Sequence, residues 1–301
     1  KKDMGYDYPP FTVPEDVYRH IAGRQRRFSG YERKWKRLVK TYKEKYPEDY
    51  RAFEYAIKRE MPDFIHDEKL WAAAEKPEAT RVSGGKVLNE IAAKVPYIVG
   101  GAADLAPSTK TYMKGLGDYS AAERGGRNMH FGIREHAMSA ICNGMQLHGG
   151  LQTYCSTFFV FSDYMKNGMR MSALMKLPIM YILTHDSIGV GEDGPTHEPI
   201  EQLAALRTMP NMRVFRPADY RETVAAYVSA LSAKCPTSIV LSRQNLVQLS
   251  AGGKDALKGG YVAYDCAGIP DVILIATGSE VGITMEAKDK LEAEGIKVRV
   301  V

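Results

Sequence analysis

The chain predicts an α/β fold: a doubly wound parallel sheet with helices on both faces, a helical connector before it and a truncated second α/β domain after it. Three observations predict this. Between Arg81 and Gln248, short strand-like segments alternate with helical ones, and such alternation builds a parallel sheet covered on both sides. Several strand segments are almost wholly apolar, as doubly buried strands are. Polar loops follow these segments, where ligands of open parallel sheets bind.

The bulk numbers are compatible with that class. A chain of 301 residues can hold one large domain and extra pieces. Hydrophobic residues make up 45% and charged residues 26%, and no run approaches the roughly 20 apolar residues of a membrane span. Lys1–Pro10 is polar and then turn-prone, unlike a signal or transit peptide. Cys142, Cys155, Cys235 and Cys266 lie far apart with no CxxC pair. That excludes zinc spacing, argues against a disulfide framework and predicts a reducing, cytoplasmic setting. The net charge of +5 permits anionic substrates without arguing for nucleic acid.

Residues 1–80 read as the connector. In Tyr31–Tyr46, Trp35, Leu38, Val39 and Tyr42 recur at helical spacing, and Pro47, Pro62 and Pro77 punctuate the remainder of the connector. Interleaved Glu32, Glu44, Glu48, Asp49 and Glu54 make the basic run a solvated helix face. Residues 81–250 form the main domain. Strands are predicted at Pro96–Gly101, Leu151–Tyr154, Pro178–Thr184, Arg213–Arg216 and Thr237–Ser242, with helices near Lys86–Lys94, Arg134–His148, Phe158–Lys176 and Asp219–Ala233. The last opens with Asp219 and Glu222 at capping-box spacing. Residues 259–301 carry a strand (Asp271–Thr277), a helix (Glu280–Glu294) and a strand (Lys297–Val301). One pair and one helix bury little core. With no Met at position 1, this predicts a piece of a longer chain, or one of two separately encoded parts.

Four loops concentrate chemistry: Gly100–Ser108 (GGAADLAPS), Phe131–Met138 (FGIREHAM), Thr184–His197 (THDSIGVGEDGPTH) and Ser242–Asn245 (SRQN). Singly each is weak, since a glycine-rich loop is usually a turn and its Asp a local cap. Phe158, Phe161 and Tyr164 lie three apart, a spacing that predicts one helix face, with Phe159 and Met165 left to the core.

In this order and spacing the blocks resemble transketolase, and THDSIGVGEDGPTH carries most of the specificity. The resemblance implies a thiamine diphosphate-binding fold of the pyrimidine type. Glu135 matches the glutamate that contacts N1′ of the aminopyrimidine, where a hydrogen bond favours the imino form that can take the C2 proton. Phe158, Phe161 and Tyr164 match the rings enclosing the pyrimidine, with Asp104 and Leu105 beside them. Arg81, Ser108, His185 and Arg243 match the substrate-phosphate contacts, Asp193 a contact to a substrate hydroxyl, and His197 a catalytic group in the substrate channel. Ala102 departs from the family's usual Ser, small for small.

The implied reaction is transfer of a two-carbon ketol unit from a ketose phosphate to an aldose phosphate, in the pentose phosphate pathway. The Mg²⁺ or Ca²⁺ site needs a GDG motif with a downstream Asn, absent from this sequence. Its ligands are therefore expected outside this segment, which would be inactive alone. Family sites form between subunits of a homodimer, and here the diphosphate-binding domain would complete the site. A dihydroxyacetone synthase-type enzyme or a non-catalytic regulatory module are the alternatives.

Overall fold

The computed structural model describes residues 1–72, 76–249 and 252–301; residues 73–75 of the predicted connector and 250 of the predicted main domain lie outside these. The chain divides into two compact units, Lys1–Tyr55 and Ala56–Val301. In the first, α1 spans Glu15–Lys45, far beyond the expected Tyr31–Tyr46, and is followed by α2 (Pro47–Lys58), which runs across the boundary. Acidic Glu15 and Asp16 and basic Lys43 and Lys45 suit the two ends of the α1 dipole. The apolar periodicity is genuine, yet no residue of α1 is buried.

The second unit is built on a six-stranded, all-parallel sheet. After α3 (Glu68–Trp71) and α4 (Thr80–Lys94) come β1 (Ile98–Ala102), α5 (Ala106–Thr109), β2 (Asn128–His130), α6 (Glu135–His148), β3 (Gln152–Phe158) and α7 (Ser162–Leu174). The remaining elements of the sheet are β4 (Met180–Thr184), α8 (Gln202–Arg207), β5 (Arg213–Phe215), α9 (Tyr220–Ser232) and β6 (Thr237–Leu241). The order across the sheet is β2-β1-β3-β4-β6-β5. Every residue of β3, β4 and β6 is buried, which explains their lack of polar alternation. The edge strand β2 is three residues long, two of them polar (Asn128 and His130), too short for periodicity to reveal, and the sequence does not predict it.

Helices cover both faces. On one, Met138 and Cys142 of α6 and Met165 and Met169 of α7 pack with Phe159, Tyr181 and Leu183. A Cβ on Gly168 would come within 1.9 Å of Ser139 Oγ, so glycine lets α7 lie directly on α6. On the other, α9 buries ten residues. Its N-terminus has the predicted cap: Asp219 Oδ1 accepts from Glu222 N at 2.8 Å, and Glu222 Oε2 accepts from Ala218 N at 2.7 Å.

The last segment pairs β7 (Val272–Leu274) in parallel with β8 (Val298–Val300), with α10 (Glu280–Ala293) between them in sequence. Only Val281 and Lys288 of α10 are buried, as expected of so small an assembly.

Candidate functional site

The chain passes from β1 to β2 on one side and then to β3 on the other, so the sheet order reverses at β1. Beyond the carboxyl ends of such strands lies the natural ligand crevice. All but one of the expected site residues follow a strand end. Asp104, Leu105 and Ser108 come after β1, Glu135 after β2, and Phe158 and Phe161 at and after β3. His185, Asp193 and His197 come after β4 and Arg243 after β6.

Arg81 is the exception, being in the first turn of α4, and a buried polar rivet brings it in. Thr80 N and Thr80 Oγ1 donate to Ser242 Oγ at 3.0 and 3.1 Å, and Ser242 N donates to Thr80 Oγ1 at 2.7 Å. Both residues are fully buried, so each bond is shielded from water. Each is followed by one of the two arginines.

The aromatic trio corrects the sequence expectation. Phe158 is the last residue of β3, Phe161 is the N-cap of α7, and only Tyr164 lies within that helix. The apolar run 158–161 therefore completes a buried strand and its turn before the helix begins. The rings still meet: Phe158 and Phe161 stack with centroids 5.8 Å apart and planes at 7°, and Phe161 and Tyr164 are 6.1 Å apart. Tyr164 is mostly exposed, whereas Phe159 and Met165 belong to the core.

His185 joins this stack to the charged group. Its ring lies on Phe158 at a centroid distance of 3.6 Å. Nε2 is 3.3 Å from Arg81 Nη1, and Nδ1 is 2.8 Å from Thr184 Oγ1. A guanidinium can only donate, so Nε2 is assigned as acceptor and Nδ1 carries the proton. Burial, first of all, and then Arg81 draw the imidazole down to about 4, with Arg243 and His197 adding and Asp193 opposing. His185 is thus neutral at pH 7, in a left-handed backbone conformation (φ 63°). Burial also draws Arg81 below the usual guanidinium range, as does Arg243, while Asp193 opposes. Arg81, His185 and His197 thus gather on the Phe158 and Phe161 rings, and Asp193 and Arg243 act electrostatically on the same imidazole. Arg81 Nη1 also donates to the Ser108 carbonyl at 2.9 Å, so Ser108 contributes its backbone here. Arg243 is ion-paired with Glu192, and His197 meets Phe161 edge-on at 5.4 Å.

Glu135 is buried at the first residue of α6, where the helix dipole favours a carboxylate. It follows β2, which is separated from β3 in the sheet by β1. Asp104 is exposed in a left-handed conformation (φ 64°), and Leu105 is the N-cap of α5. Thr80, Asp186, Glu192 and Arg216 also shape this end of the sheet, and sequence reasoning did not find them. Their partners lie 30 to 162 residues away, beyond any local pattern.

Among the described residues, no helix is long and apolar enough to cross a membrane. Residues 76–248 match the family model described as transketolase, pyrimidine binding domain. Residues 259–301 match a transketolase-like C-terminal domain and residues 1–62 a transketolase thiamine diphosphate binding domain. The transketolase of Bacillus subtilis is 49% identical over 97% of this chain, which covers 45% of that protein. A Pichia stipitis transketolase solved in complex with sedoheptulose-7-phosphate superposes with a TM-score of 0.91 at 40% identity, covering 97% of this chain and 44% of that one. A split gene transketolase, solved as an inactive β4 tetramer, gives 0.60 at 32% identity over 74% of this chain and 70% of its own. The chain thus spans just under half the length of the Bacillus relative.

Proposed function

Because the chain belongs to the transketolase family, we propose that it forms the pyrimidine-side half of a thiamine diphosphate-dependent ketol-transfer site. Residues 1–80, of which 1–62 match the diphosphate-binding domain model, would lead into the pyrimidine-binding domain at 81–250, and 259–301 would begin a third domain. The observation that carries this reading is the continuity of Phe161, Phe158 and His185 with Arg81. A flat aromatic wall runs directly into a cationic cluster. That combination suits a heterocycle held beside a sugar phosphate.

When bound, thiamine diphosphate supplies the electron sink for breaking and making the carbon bond beside a ketone. Phe158, Phe161 and Tyr164 would hold its pyrimidine ring, with Asp104 and Leu105 alongside. Glu135 would hold a proton at a ring nitrogen, desolvated by its burial. Arg81 and Arg243 would bind the substrate phosphate with Ser108, and Arg243 would exchange Glu192 for it. Neutral His185 orients Arg81. Asp193 would accept from a substrate hydroxyl, and His197, half-exposed at the ring edge, would move a proton at a substrate oxygen.

The substrates are then a ketose phosphate donor and an aldose phosphate acceptor. Mg²⁺ or Ca²⁺ would bind on the diphosphate side, outside this chain; among the described residues, no three His, Cys, Asp or Glu side chains gather into a metal site. A homodimer would complete the site between subunits, and free thiols at all four cysteines suit a cytoplasmic setting. Calorimetric titration with thiamine diphosphate and Mg²⁺, with and without the diphosphate-binding segment as a separate polypeptide, tests this. Binding and ketol transfer only in the mixture support the half-site. Tight metal-dependent binding by the chain alone, or none in the mixture, overturns it.

A further inference from the structure

The loop that bears His185 is tied, one residue later, to the last segment of the chain. Asp186 is buried, with a side chain only 1% exposed, and faces Arg216 beyond β5, whose side chain is 8% exposed. Arg216 Nε and Nη2 lie 2.9 and 2.8 Å from Asp186 Oδ2. The rest of the guanidinium points the other way. Nη1 donates to the Thr277 carbonyl at 2.8 Å, Nη2 donates to Ser279 Oγ at 2.8 Å, and Glu280 completes the set as an ion pair. Thr277–Glu280 is the turn between β7 and α10. One planar fork therefore clamps two chain segments, using the fixed directions of its five donors.

We propose that Arg216 is a positioning residue for the substrate-phosphate end of the site, holding His185 in place by fastening Asp186 to the turn at Thr277–Glu280. The inference rests on the ketol-transfer reading above and assigns the third segment a task in it. Four features carry it. His185 adopts φ 63°, a conformation that a non-glycine residue keeps only where its surroundings over-determine it. On its N-terminal side Thr184 is held by the sheet and bonds Nδ1. On its C-terminal side the restraint is the Asp186–Arg216 pair. A cavity of about 250 Å³, lined by Phe159, Asp186, Ser187, Ile188, Arg216 and Glu280 among others, leaves the loop room to move once the tie is cut. A lysine at 216 would keep the charge but could not reach Asp186 and the turn together.

The test uses the chain assembled with the diphosphate-binding segment, comparing Arg216→Met, Arg216→Lys and Glu280→Gln with the unaltered protein. Kinetics are measured with a phosphorylated ketose and with a short, non-phosphorylated ketol donor. Arg216→Met should raise KM for the phosphorylated donor about tenfold and leave the other within about twofold, as expected when one binding contact is lost. Arg216→Lys should be intermediate. Glu280→Gln, which keeps Asp186 paired, should show the smallest change in the same direction. A second readout needs no turnover: NMR titration of the His185 ring protons in the chain itself. The groups facing that ring are Arg81 from α4, Arg243 after β6, and Asp193 and His197 in its own loop. In Arg216→Met its titration should move from about 4 toward the ordinary 6.5. Equal losses with both donors and an unmoved His185 titration overturn the proposal, leaving Arg216 a fold-stabilising residue. An unaltered assembly with no ketol transfer sinks the enzymatic reading instead, and the titration still decides the role of Arg216 in placing His185. If Arg216→Met does not fold, Arg216→Lys and Glu280→Gln carry both measurements.

Discussion

Helices α1 and α9 respond to the same physics with opposite results. α9 has 13 residues and buries ten; α1 has 31 and buries none. Both carry apolar residues at helical spacing. α9 faces a fully buried strand layer, whereas the Trp35 and Leu38 stripe of α1 remains exposed. Periodicity therefore reports that a segment is helical and that one face prefers burial. It does not say where the covering surface is found.

Core and stripe can be set against each other directly. Leu88→Ala, at a fully buried position of α4, should destabilise the sheet unit by about 2–5 kcal/mol through lost transfer energy and a cavity. Leu38→Ala, 59% exposed, should stay within about 0.5 kcal/mol. Urea denaturation of both variants checks the contrast, and equal effects would mean that the α1 stripe is covered in solution.

The rivet beside the two arginines comes next. Thr80→Val strands buried Ser242 groups at a cost of about 1–3 kcal/mol, whereas Thr80→Ser should recover most of it. In the assembled enzyme, Thr80→Val should also raise KM for a phosphorylated donor. Unchanged stability and KM would show that Arg81 and Arg243 are set independently.

The pH response separates two buried groups of opposite sign. His185 is drawn down to about 4, so on acidification the unfolded chain takes its proton first. Its contribution to stability is full above pH 6.5 and is lost as pH falls toward 4. Asp219 is pushed up to about 6, chiefly by burial. The folded chain takes that proton first, so Asp219 favours folding below about 3.8 and loses this as pH rises through 6. Asp219→Asn keeps an N-cap acceptor and removes the opposing group. Acid destabilisation between pH 6.5 and 4, measured by thermal melts, should then steepen. A shallower profile would contradict the assignment of signs.

The smallest effect belongs to the exposed partner of Arg243. Glu192→Gln should change stability by less than about 1 kcal/mol, as surface pairs do. It should tighten inorganic phosphate binding about twofold or more by freeing the guanidinium, which calorimetry can read. Weaker binding would mean that Glu192 orients Arg243 rather than competing for it.

The sequence alone was enough to predict the parallel α/β class, five of the six sheet strands, the α9 cap and the loops that hold the candidate site. Each is a local matter: apolar run length, capping side chains and turn-forming loops act within a few residues of one another. Tertiary structure decided the rest. It revealed β2 as a three-residue edge strand, moved Phe158 from a helix onto a strand end, and left the α1 stripe exposed. It also joined Thr80 to Ser242 and Arg216 to Asp186 and Glu280. Those pairings depend on which strand ends become neighbours when the sheet closes. No local propensity encodes that proximity, because it is the packing of the whole sheet that brings such residues within hydrogen-bond distance.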